Sequence, residues 1–417
     1  MTSGEETAEM TSADAEAIDR IRACQPVLIG LETAGTAMGL GEGELGHAGP
    51  PFAQTGEIPA TVLNAAAGAA VHEGWAASVE DGRDAILSGH VRLRPNHDLG
   101  TVSPMAGIVR PSQPVMRVEN GNGCGTTWAT FAEKGRRVLR FGVYDADAAE
   151  GLRFVETVVA PAIASALPKD GLPVMPLVAE GVRLGDDVHQ RNVGGMAAFL
   201  AALPDLPSEV RQWLSGAPQH FLNYVMASAK LCLDQGRGVP GAAVVTALSR
   251  NGVDCGIQVA GTGDRWFRAP AVIPRGGFFA GYSLDDAQPD LGDSAIVETF
   301  GLGGCTAHTA PEIARDMDAP WPESVSEGTR MRTLFFDRQP SFNPALAAPD
   351  GLGLGLSVHR ARVAGGVRIH TGIAHRDGCQ GWIGVGVAHA PQACFEQAAA
   401  ALSEHARSPQ HEGVHPK

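Results

Sequence analysis

The chain reads as an α+β protein, a multi-domain α/β complex with a small helical domain inserted between two mixed parts. Three observations lead there. A length of 417 residues is enough for two or three domains. Apolar spacing turns helical, in three- and four-residue steps, from Ala146 to about Gly236. After Pro240 the chain becomes β-rich, and Arg250-Asn251-Gly252 between apolar runs is a strong hairpin signal. The expected divisions are a mixed α/β domain at 1–145, a helical domain at 146–236, and a β-rich α+β domain at 237–417. The last should carry much of the functional chemistry.

In order along the chain, a short helix at 14–23 leads into the apolar run 26–30, a buried strand. A Gly-rich loop follows, then helical stretches from Pro59, which suits a first helical position, to about Leu87. Short strands are expected at 91–93, 107–110, 115–119 and 138–142. The helical span divides into 151–167, 188–203, 208–214 and 220–234, with Pro204, Pro207 and Pro218 breaking the last three apart. Strands at 243–248 and 253–260 form the first hairpin. A second is expected at 367–374 and 382–388 around Arg376-Asp377-Gly378, and a helix at 392–405 closes the fold.

Bulk composition narrows the function classes. With 32 Lys and Arg against 46 Asp and Glu, the net charge is −14. Nothing supplies a basic stripe, so nucleic acid is not an expected partner. An anionic substrate would need local arginines working against the global field. Seven scattered cysteines lack CxxC spacing, which argues against a structural zinc site and fits reduced thiols in a cytosol. No apolar run approaches a membrane span, and the acidic start lacks signal-peptide character. The expected location is cytoplasmic.

The densest chemistry lies between Gly263 and Gly304, with six carboxylates (Asp264, Asp285, Asp286, Asp290, Asp293, Glu298) and eight glycines. Glycine lets backbone approach a ligand closely, and Asp serves as acceptor, base or metal ligand; turns and caps explain part of the set equally well. The Gly292 turn should let Asp290 and Asp293 face one cavity together with Asp264 and an arginine from 250–268. Elsewhere, Asn96-His97-Asp98 sets an imidazole beside a carboxylate at a strand end, but neighbours on an extended chain point apart. The run 185–192, GDDVHQRN, reads as a helix start with an Asp187–Arg191 pair at i,i+4, or as an anion site at free N–H groups. Arg250, Arg265 and Arg268 sit near the ends of one expected strand and should line a common pocket. His370 and His375 flank the last hairpin, one of them a satisfied core histidine. Gly41–Gly46 matches GxGxxG without the strand and helix that a dinucleotide site needs. No GxSxG, HExxH or P-loop occurs.

Taken together, HAGPP near 47, HEGWA at 72–76, NHDLGTVSPMAGIV at 96–109, VLRFG at 138–142, LGDDVHQRN at 184–192, SRNGVDCGIQVAGTGDRWFRAP at 249–270, GYSLDDAQPDLGDSAIVETFGLGG at 281–304 and TGIAHRDG at 371–378 are similar to the YlbE/AllG-type family. The resemblance covers roughly residues 20–400. It implies a subunit of an oxamate carbamoyltransferase in allantoin use, working beside an FdrA-type partner that itself resembles a CoA-ligase α subunit. It also implies an α+β fold with a small helical domain.

Such a subunit would bring phosphate to the carbamoyl carbon of oxalurate, giving carbamoyl phosphate and oxamate, or the reverse. Both co-substrates are anions, for which Arg140, Arg191, Arg250, Arg265 and Arg268 are candidate clamps, with Asn192, Asn251 and Glu298 beside them. The leaving nitrogen needs a proton, for which His97, His189 or His375 are candidates. Asp264, Asp290 and Asp293 would orient such a histidine or hold a divalent ion; no cofactor is certain. The residues do not rank these choices. Two other readings stay open: a non-catalytic partner of an FdrA-type assembly, and a metal-assisted amidohydrolase of a ureido or amide substrate. A homo-oligomer is also compatible.

Overall fold

The computed structural model describes residues 9–317, 320–342 and 350–407. Helices and several small sheets mix throughout, an α+β architecture. The largest sheet has five strands in the order Thr101–Val102, Thr126–Ala129, Pro114–Asn120, Pro26–Thr33, Leu172–Pro173. Its central pair is antiparallel, with Pro26 opposite Asn120 and Thr33 opposite Pro114. The helix His220–Gln235 lies across it and is buried continuously from His220 to Leu233. That explains why its apolar residues mark no single face: a helix covered all round needs none exposed.

The span 146–236 is helical apart from the two-residue strand Leu172–Pro173, which pairs with Val27 and Leu28. Its core is continuous with the chain on both sides. One apolar cluster joins Ile18, Leu28 and Met116 to Phe199, Phe221 and Val225, and onward to Ile296, Phe300 and Leu354. The first helix of the span is interrupted by a π turn at Val155–Val159. Pro161 follows directly; it has no N–H to give a preceding carbonyl, and its ring crowds that turn.

Val245–Asn251 and Asp254–Val259 form the expected hairpin, Arg250 opposite Cys255, and the Asn251 side chain accepts from Val253 and Asp254 N–H to close it. Leu291–Gly292 pairs along its other edge, so all seven residues of Val245–Asn251 are buried. The second hairpin, Val367–Ala374 with Trp382–Ala390, gains Arg275–Phe278 as a third strand. Two expected strands are absent. Leu139–Phe141 is a 3-10 turn, and at 107–110 only Val109 forms a bridge, to Gly46.

The acidic loop acts mainly as a clasp. Asp293 is fully buried, and four donors from four segments converge on it: Gly49 N–H at 2.8 Å, Ser249 Oγ at 2.5 Å, Asn96 Nδ2 at 3.0 Å and Ser103 N–H at 3.0 Å. Gly49 has a φ of +93°, and a Cβ there would collide with the backbone of Arg250 and Asn251, so only glycine brings this amide to the carboxylate. Burial pushes the Asp293 carboxyl above its ordinary value while the four donors pull it down. Next to it, Arg250 Nε bonds Asp290 Oδ2 at 2.7 Å, Arg250 Nη1 bonds the Gly292 carbonyl, and Thr371 Oγ1 donates to Asp290 at 2.8 Å.

Asp293→Asn turns an amide toward donors, and at least one backbone N–H, of Gly49 or Ser103, loses its acceptor. We expect a loss of about 1–3 kcal/mol in urea unfolding; an unchanged midpoint would show that the clasp is not what holds these segments. Several core histidines add a pH dependence. His47, His220 and His308 are pushed down by burial to about 4, and His97 lies well below the usual 6.5. The unfolded chain protonates them near 6.5 while the fold resists, so stability is full above that pH and is lost as pH falls toward about 4. The slope is up to about 1.4 kcal/mol per pH unit for each histidine. Urea midpoints should fall from about pH 6.5 downward; a flat profile to pH 5 contradicts this.

Candidate active site

Among the described residues two that are not glycine have positive φ, Met105 and Val188, each at +60°. Such conformations persist only where surrounding structure over-determines them. Met105 follows Pro104, which bridges Gly292, and the next amide, Ala106 N–H, donates to the Arg140 carbonyl. Val188 follows Asp187, whose Oδ1 accepts from the amides of His189, Gln190 and Arg191 at 2.7–3.1 Å. This compact turn replaces the helix start expected at 188, and the helix begins at Val193. The expected Asp187–Arg191 pair is corrected accordingly: Arg191 pairs with Asp186, which also accepts from Gly195 N–H.

The two strained turns meet at a small, half-open cleft lined by Met105, Arg140, His189, Gln190, Gln219, Ser294 and Trp382 among others. An adjoining lobe shares Pro104, Ala132 and Arg140 with it, and adds Ser103, Thr130 and Glu133. Arg140 thus stands between the lobes. Its Nη1 is held by the Glu133 carbonyl at 2.7 Å and carboxylate at 3.2 Å. Burial lowers its pKa against the pull of Glu133. The rest of the fork makes no other hydrogen bond among the described residues.

His189 is the buried imidazole of this cleft. Its Nδ1 bonds Glu298 Oε1 at 2.8 Å, and its Nε2 has no partner among the described residues. Glu298 Oε1 also accepts from Gly304 N–H at 2.9 Å and His370 N–H at 3.1 Å, while Oε2 is buried without a partner. The glycine run makes this possible: Gly303, at φ +58°, packs its Cα against the Glu298 carboxylate where any Cβ would collide. A second pair lies behind the first. His370 Nδ1 bonds Asp187 Oδ2 at 2.6 Å and its Nε2 accepts from Arg368 Nε at 3.4 Å. Asp187 is buried, which raises a carboxyl, yet the His370 bond and neighbouring amides bring it below its ordinary value. His370 is therefore the satisfied core histidine of its pair. A histidine oriented by a carboxylate with its other nitrogen free is suited to general acid–base work.

The other sequence candidates divide between scaffold and surface. His97 is buried edge-on to Trp266 at 5.2 Å, with Nε2 3.7 Å from Asp293 and unbonded; burial, then Lys230 and Arg237, hold it neutral. Asp290, Asp293, Arg250 and Asn251 belong to the clasp, where Asn251 Nδ2 holds the Pro50 carbonyl at 2.8 Å. Asn192 is buried on Gln219 and His189 at the back of the cleft. His375 bonds Asp377 at 2.8 Å, in a loop that Asn64 and Thr61 fasten to the helix Ala60–His72. Asp264 is exposed and pairs with Arg237, so it does not share a cavity with Asp290 and Asp293. Arg265 is exposed over Phe267, and Arg268 is half-buried against Asp254 and Pro51. The common pocket expected for Arg250, Arg265 and Arg268 is not formed, because Arg250 is wholly buried on Asp290. Among the described residues no three His, Cys, Asp or Glu side chains are grouped to hold a metal ion.

Sequence reasoning passed over Met105, Gln190, Gln219, Ser294 and Trp382 as lining, and Lys134 and Arg136 at its edge. The dipeptide Lys134-Gly135 followed by two arginines, in so acidic a chain, was the available signal for the last pair.

Comparison with known proteins gives the chain its family and its fold. Residues 91–294 match the family described as oxamate carbamoyltransferase subunit AllG. The chain is 37% identical to the oxamate carbamoyltransferase subunit AllG of Escherichia coli (strain K12), covering 95% of this chain and 98% of that one. It is 30% identical to the uncharacterized protein YahG of the same organism, over 94% of this chain and 85% of the other. A crystal structure of a conserved protein of unknown function from Enterococcus faecalis V583 superimposes with a TM-score of 0.91 at 30% identity, covering 95% of this chain and 98% of that one. Full-length identity of this order, with a shared fold, makes the chain a member of the family of oxamate carbamoyltransferase subunit AllG.

Proposed function

We propose that this subunit carries a carbamoyl-transfer site at the His189 cleft, acting on oxalurate and phosphate, or on oxamate and carbamoyl phosphate, within a cytoplasmic assembly with an FdrA-type partner that serves allantoin nitrogen use. The observation that supports it is the buried His189–Glu298 pair opening on a cleft whose floor holds a half-occupied arginine. In the direction of oxalurate breakdown, a phosphate oxygen attacks the carbamoyl carbon and the C–N bond breaks. His189 Nε2 takes the proton of the attacking hydrogen phosphate and passes it to the departing amide nitrogen of oxamate, while Glu298, accepting from Nδ1–H, holds the imidazole in the required orientation. In reverse, His189 removes a proton from the oxamate amide as that nitrogen attacks carbamoyl phosphate and phosphate leaves. The free edge of the Arg140 guanidinium suits the substrate carboxylate, and the Gln190 and Gln219 side chains suit its amide.

The test is turnover of oxalurate with phosphate by the purified chain, alone and with its partner subunits. His189→Gln should lower kcat at least about a hundredfold in whichever preparation is active, and Glu298→Gln by less. Turnover of His189→Gln near that of the unaltered protein would place the chemistry on the partner. Activity abolished by a chelator and restored by a divalent ion would favour the amidohydrolase reading.

A further inference from the structure

Residues 133–140, EKGRRVLR, hold four cations against one acid in a chain of net charge −14. Both ends of this stretch line the cleft or its adjoining lobe: Ala132 and Glu133 at its start, Leu139 and Arg140 at its end. Between them Lys134, Arg136 and Arg137 are exposed. The loop is fastened to the cleft wall. Trp382 N–H donates to the Arg136 carbonyl at 2.9 Å, the Arg136 guanidinium lies 3.7 Å over the Phe279 ring, and Phe279 packs edge-on to Trp382 at 5.2 Å. Lys134 Nζ lies beside Gly216, three residues before Gln219 of the cleft.

A run of exposed charge is ordinarily a solvated face, and elsewhere on this surface arginines pair with acids three or four residues away, as Arg20 with Glu16 and Arg183 with Glu180. Here Arg137 has Asp145 and Arg140 has Glu133, but among the described residues no carboxylate pairs with Lys134 or Arg136. Two exposed cations without a carboxylate partner, on a loop whose two ends line the cleft and its lobe, reverse the local field of an acidic protein. One guanidinium already half-neutralised by Glu133 is not enough for two anionic co-substrates.

We propose that Lys134 and Arg136 form a subsite for a phosphoryl dianion at the mouth of the cleft, with Arg140 left to the carboxylate inside. This rests on the carbamoyl-transfer reading for its choice of ligand. A lysine supplies a movable point charge and an arginine a planar fork, the combination that suits a tetrahedral anion.

Isothermal calorimetry with inorganic phosphate on the full chain, alone and in its complex, tests it. The double variant Lys134→Gln/Arg136→Gln should bind phosphate at least about tenfold more weakly. Its affinity for oxamate should stay within about twofold of the unaltered protein, and an Arg183→Gln control should match the unaltered protein in both. Both side chains are exposed, so the fold and melting temperature should be retained. Equal phosphate affinity in the double variant overturns the proposal, as does an unaltered protein that binds no phosphate in either preparation. Loss of co-elution with partner subunits while phosphate binding persists makes the loop an assembly contact and overturns it too. Phosphate binding that depends on these two residues, in a protein that transfers no carbamoyl group, leaves the subsite standing and removes the reaction.

Discussion

The carboxylate of Asp293 is the point from which the rest of the arrangement follows. It holds the amide of Gly49, the amide of Ser103, the side chain of Asn96 and the hydroxyl of Ser249 in one buried knot. Those donors come from segments up to 244 residues away in sequence. A buried carboxylate is costly unless hydrogen bonds satisfy it, so each donor has only one position in which the cost is met. Fixing Ser103 fixes Pro104 and the strained Met105, and fixing Gly292 and Asp293 fixes the short helix that carries Ser294 and Glu298. The Asp293 carboxylate therefore sets two walls of the cleft without itself lining it.

Much of the architecture was legible because it is written locally. Asn251-Gly252 announces a hairpin, since the amide side chain closes the turn and glycine takes φ +84°. The helix His220–Gln235 shows in its apolar content and length. What local reading misplaces are the elements that a distant partner remakes. Asp187 was expected to begin a helix; with His370 holding its Oδ2, its Oδ1 gathers three successive amides and the backbone turns through Val188 instead. Leu139–Phe141 reads as part of a strand, yet among the described residues it pairs with none and closes as a 3-10 turn that ends on Gly142 at φ +87°.

Of the candidate site, His189, Arg140 and Glu298 were legible in the sequence, but which candidates pair with one another was not. The acidic loop and the SRN hairpin do matter, but as framework: Arg250 is consumed by Asp290, and Asp264 by Arg237. A sequence cannot show this, because an arginine that clamps substrate and one that neutralises a buried aspartate look the same until their partners are located. His189 and Arg140 were both among the candidates. What separates them from His97 and Arg250 is one vacant bonding position each, facing a cavity rather than core.

That vacancy is the physical argument for where chemistry belongs. Glu298 takes one nitrogen of His189 and Glu133 takes one edge of Arg140, and in each case the remaining donor or acceptor lies along the same cleft. The backbone conformations of Met105 and Val188 cost on the order of 1–3 kcal/mol apiece. Val188 and Met105 are themselves buried in apolar clusters, so each turn also serves the core. The same two turns place Met105 and His189 on the lining of one space. Two such costs, at turns 83 residues apart that meet on one cavity, mark where the fold gives up stability to hold a shape, and that is the physical ground for the proposal made for this cleft.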